Sequence, residues 1–111
     1  MTIEQIDESG WPTGENSPLL ILPMSPDQLS KRFNLVFSDD RDGLGDLKIA
    51  VVRSQFFGIA GLIRHQDEPS EGTTVYVNSE ADLPTTCRAV LSEFGLAESD
   101  VSWITTELRR E

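Results

Sequence analysis

Apolar and polar residues change their spacing several times along the chain, and each change predicts an element. Ser17–Met24 (SPLLILPM) is an apolar run bracketed by Pro18 and Pro23, which suits an edge strand because proline cannot donate to a ladder. Ser25-Pro26-Asp27 predicts a helix start, with serine as N-cap and proline in the first turn. That helix runs about two turns before Asn34 and a β-branched stretch interrupt it. Asn34–Phe37, Leu47–Arg53, Phe56–Arg64 and Thr73–Asn78 carry strand composition. Polar connections separate them: Ser38–Asp46, the Ser54-Gln55 pair and His65–Gly72. Links this short predict an antiparallel meander, since parallel pairing needs longer crossovers. Leu83–Phe94 predicts the main helix: Cys87, Val90, Leu91 and Phe94 form one apolar stripe, Asp82 and Pro84 mark its start, and Gly95 its end. In Ser99–Leu108, the spacing of Val101, Ile104 and Leu108 suits a short helix, whereas Val101, Trp103, Ile104 and two threonines suit a strand; a short helix is the expectation carried forward.

These elements predict a single α+β domain over residues 17–111: an antiparallel sheet of four to five strands, one main C-terminal helix and one short N-terminal helix. Residues 1–16, with four acids and no base, read as a flexible acidic leader that Trp11 and Pro12 could pin in part to the body. Along Phe56–Ile63 both alternating sets of residues are apolar, so this strand needs a cover on each face. The N-terminal segment or a helix is the expected second cover, with a protein partner or a second copy as the rival.

Length then fixes the scale. A chain of 111 residues suits one globular domain, and 38% apolar with 25% charged residues fits a folded one. The net charge of −10 argues against nucleic acid and against anionic membranes, which would both be repelled. Seven of the nine bases are arginines, scattered along the chain without forming a basic stripe. The start is acidic and polar, unlike a signal peptide, and the single Cys87 forms no internal disulfide, so a reducing cytoplasmic setting is expected.

Candidate chemistry is sparse. Asp39–Asp46 (DDRDGLGD) invites a calcium reading, but with Gly43 sixth in an EF-hand-type loop the first and twelfth positions fall on Ser38 and Ile49, which cannot close the shell. His65, the sole histidine, would have to reach Cys87 to form a nucleophilic dyad, yet Cys87 lies on an apolar stripe. One cysteine and one histidine do not make a structural zinc site. Gly58 and Gly61 lack phosphate-loop spacing and mark a bulge or a close backbone approach instead. No catalytic residue, metal or cofactor is assigned.

The charge pattern carries the functional expectation. From His65 to Glu107 there are nine acids and only Arg88 as a base. Such a surface steers toward a basic protein, with acids at the rim setting the association rate and an apolar group anchoring the complex. The expected contacts are Asp67, Glu68, Glu71, Glu80 and Asp82, with Phe56 as anchor. In size and charge the chain resembles immunity proteins, small acidic inhibitors that protect a cell from its own kind's toxin; that resemblance implies a non-enzymatic binder of a basic partner such as a toxin. Two alternatives stand beside it: a homodimer through the second sheet face, and a small enzyme with a pocket near His65.

Overall fold

The computed structural model describes residues 3–11, 16–42, 45–66, 72–78, 82–101 and 103–104. Among the described residues it is an α+β fold in which two α-helices lie on one face of an antiparallel sheet. Helix α1 spans Pro26–Phe33 and α2 spans Leu83–Phe94. The strands are β1 (Glu4–Ile6), β2 (Asn16–Leu22), β3 (Ser38–Asp42), β4 (Gly45–Ser54), β5 (Gly58–His65), β6 (Thr73–Asn78) and β7 (Trp103–Ile104). They order as β1-β4-β5-β6-β2-β7, and β3 shares with β1 the edge of β4 opposite β5.

The helix ends follow their local chemistry. Ser25 Oγ accepts the Gln28 amide at 3.2 Å while Gln28 Oε1 accepts the Ser25 amide at 2.9 Å, a reciprocal cap. Asn34 closes α1 in the left-handed conformation, and Gly95 closes α2 at φ 71°. The α2 stripe of Cys87, Val90, Leu91 and Phe94 is buried, and the Phe33 and Phe94 rings meet edge to face at 5.0 Å. Pro18 sits where the β2–β6 register shifts, so Leu19 is the extra residue of a bulge.

Three expectations change. Among the described residues the sheet has seven strands rather than four or five, because β1 and β7 are too short for any periodicity to reveal. The strand expected at Asn34–Phe37 lies instead at Ser38–Asp42, inside the stretch read as a connection. Polar side chains are tolerated there because β3 is an edge strand whose Asp39 pairs across the ladder with Lys48 at 2.9 Å, and whose Arg41 pairs with Asp46 at 3.2 Å. Leu35 and Phe37 still point at the core while Val36 is 71% exposed, so the alternation was a burial signal without a ladder. The Gln5 amide stands in for the ladder: it donates to the Val36 carbonyl at 2.6 Å and accepts the Val36 amide at 2.8 Å. Finally, Trp103-Ile104 pairs with Ile21-Leu20 as a strand, where a helix was expected; residues 105–108 lie outside the described residues.

The second face of β5 has its cover. β1 and β2 run parallel, four strand spacings or roughly 19 Å apart. Trp11, which follows β1, lies on the face opposite the helices. Its indole lies on Gly61 at mid-sheet, and a Cβ on Gly61 would sit 2.7 Å from the nearest ring carbon. Gly61 is thus a close-approach glycine, and the N-terminal segment supplies the cover opposite the helices.

Candidate functional site

The β4–β5 hairpin builds the most exposed aromatic surface among the described residues. Ser54 and Gly58 face each other across the ladder, leaving Gln55, Phe56 and Phe57 as a three-residue turn, with Gly58 at φ 79° closing it. The turn separates two adjacent phenylalanines. Phe57 enters the core, and Phe56 stands 58% exposed at the tip. Ser54, itself buried, fixes the turn: its hydroxyl accepts the Phe56 amide at 3.1 Å and donates to Glu93 Oε1 on α2 at 2.7 Å. The tip is thereby tied to the helix layer. Beside it lies a groove of about 380 Å³ lined by Glu4, Arg53, Ser54, Gln55, Gly58 and Ile59. Arg53 donates to Glu4 at 3.1 Å within it, joining β1 to β4.

Of the expected contacts, Phe56 is exposed at the tip of the hairpin. Asp82 is exposed at the start of α2, where its carboxylate accepts the Thr85 hydroxyl at 2.8 Å. Glu93, eleven residues on, marks the end of α2 nearest Phe56, so about 16 Å of helix separates Asp82 from the tip. The two do not form one contact point. Asp67, Glu68, Glu71 and Glu80 lie outside the described residues. Sequence reading missed Ser54, Glu93 and the Glu4–Arg53 pair. Gly58 was the usable signal, because a glycine three residues beyond Gln55 allows the turn to extend through both phenylalanines.

A second groove, of about 580 Å³, opens at the other end of β4 between Asp39, Asp40, Asp46, Lys48, Arg64 and Gln66. Its carboxylates are largely spoken for by cross-strand pairing, and the Asp39 contact holds the Lys48 ammonium above the ordinary lysine range. Arg64 donates to the Gly72 carbonyl at 2.8 Å. Among the described residues no three His, Cys, Asp or Glu side chains converge as metal ligands. Calorimetric titration with calcium is expected to give no sub-micromolar site; a tight site that vanishes in Asp40→Asn with Asp42→Asn would overturn this.

His65 and Cys87 are kept apart by the sheet. His65 pairs with Leu47 on the face that carries Gly61 and Ile63, whereas Cys87 packs in the helix layer against the other face. Burial, reinforced by Glu98, pushes the Cys87 thiol up, opposite to the shift a thiolate nucleophile requires. Among the described residues no helix is long and apolar enough to cross a membrane. No protein-family model, curated protein or solved structure matches this chain.

Proposed function

We propose that this chain is a protein-binding module that takes a basic partner and anchors it on Phe56. The observation that carries the reading is a large aromatic ring held outward on a hydrogen-bonded three-residue turn. Fixing the turn before contact lowers the ordering cost of binding, and phenylalanine is among the aromatic residues enriched at protein interfaces. The net charge of −10 supports a partner of opposite sign and a salt-sensitive association rate. An immunity-type inhibitor of a basic toxin is one protein of this description, and a cytoplasmic setting goes with it. A homodimer through the second sheet face is less favoured, since Trp11 already sits at the centre of that face.

The test is capture from the native host with wild-type chain and with Phe56→Asp. Wild type should recover a protein of high pI, and the variant should retain at most about a tenth of it, the loss expected at a hot spot. Raising salt from about 0.05 to 0.5 M should slow association as the screening length shrinks. Recovery of this chain alone, or capture indifferent to both salt and Phe56, would sink the reading.

A further inference from the structure

The segment Ile3–Trp11 is fastened differently from the rest of the sheet. Its ladder to β4 is only three residues long, at Glu4, Gln5 and Ile6. Two of its ties, the Glu4–Arg53 ion pair and the Gln5–Val36 amide pairing, are exposed to water. A local turn follows at Glu8–Gly10, started by Asp7, whose carboxylate accepts the Ser9 amide at 2.9 Å and is thereby held below the ordinary aspartate range. Beyond it, Trp11 is half-buried and rests on a glycine. By contrast, β4 and β5 pair over eight residues, β2 and β6 over six and β5 and β6 over four, and these strands hold the buried core. The two parts differ in the number of bonds that must break together, which is what separates a locally opening unit from a globally unfolding one.

We propose that Ile3–Trp11 is a detachable strap, which opens as a unit while the central strands and both helices stay folded. Opening bares three things at once: the β4 edge at Val51–Arg53, the hollow over Gly61, and the side of the hairpin groove that Glu4 closes. The cost of exposing Val51 and the Ile6 and Trp11 side chains, and of lifting Ile3 off the core it packs against, holds the strap shut at rest. Because Glu4 lines the groove beside Phe56, strap opening remodels that surface. This second consequence rests on the reading of the hairpin tip as the binding site; the opening itself does not.

Native-state hydrogen exchange on the full chain tests the opening without any partner. In wild type the amides bonded between β1 and β4 should exchange about 10–100-fold faster than those bonded between β5 and β6. Trp11→Ala should accelerate the first group by about tenfold more and leave the second within about twofold. Gln5→Ala, which removes only the exposed pairing with Val36, should act in the same direction more weakly, and it serves as the readout if Trp11→Ala lowers global stability. A common rate for both groups in wild type, or equal acceleration of both groups in the two variants, would show that the strap opens only with global unfolding and overturn the proposal. A strap that opens while Phe56→Asp captures like wild type defeats the binding reading alone. A strap that stays shut while capture depends on Phe56 defeats this inference alone.

Discussion

Truncation of Phe94 to alanine is expected to lower the unfolding free energy by about 3–5 kcal/mol, the range for a large aromatic removed from a closed core. Phe94 is the last residue of α2 and is 1% exposed. Its ring meets Phe33 edge to face, so it joins the two helices as well as filling the space beneath them. The backbone around it has little room to collapse into the void, because Gly95 closes α2 in the left-handed conformation and the Leu96 amide is bonded back to the Leu91 carbonyl at 2.8 Å. Leu91→Ala, on the same stripe, should cost about 2–5 kcal/mol. Urea melts with an unchanged slope would report both losses; a shift below about 0.5 kcal/mol at either position would mean that the α2 stripe does not face the sheet.

Gly72→Ala is expected to be the costliest single methyl addition among the described glycines, at roughly 1–3 kcal/mol and toward the upper end. A Cβ at Gly72 would drive into the Leu22 carbonyl oxygen and lie 2.7 Å from Ile21 Cγ2. The obstacle is main chain in a paired strand, which cannot swing aside. Gly72 cannot retreat either: its own carbonyl accepts from Arg64, and the next residue, Thr73, donates its hydroxyl to the Met24 carbonyl at 2.8 Å. Gly61→Ala makes a useful contrast. There the obstacle is the Trp11 indole, a side chain that can move off the sheet, so the alanine should loosen the N-terminal segment and cost less overall. Equal melts for the two variants, or a larger loss for Gly61→Ala, would contradict the assignment of one clash to backbone and the other to a movable ring.

The helices were legible in the sequence because everything that defines them lies within a few residues. Ser25, Pro26 and Gln28 cap one start, Asp82 and Pro84 mark the other, Asn34 and Gly95 take the left-handed ends, and the stripe from Cys87 to Phe94 names the buried side. The β4–β5–β6 meander was legible for a similar reason, since short links leave antiparallel neighbours as the simplest arrangement. The two apolar faces of β5 also showed that a second cover had to exist.

The identity of that cover was a tertiary matter. Nothing near Trp11 says that it will rest on a glycine fifty residues away, and the three residues of β1 have no period long enough to register as a strand. β3 escaped because its stabilisation comes from Lys48 and Asp46 across a ladder, whereas its own sequence, SDDRD, reads as a turn. The exposed aromatic tip turned on the smallest of these differences. Placing the turn at Ser54-Gln55 makes Phe56 the first residue of a strand; extending it to Phe57 puts Phe56 outside and Phe57 in the core. Local composition favours either arrangement, and the observed one is held by Ser54, whose hydroxyl accepts the Phe56 amide and donates to Glu93 from α2. Patterns that repeat along the chain are read from the chain; a bond to a distant edge or a distant side chain has no local signature, and here those bonds decide which side chains the surface presents.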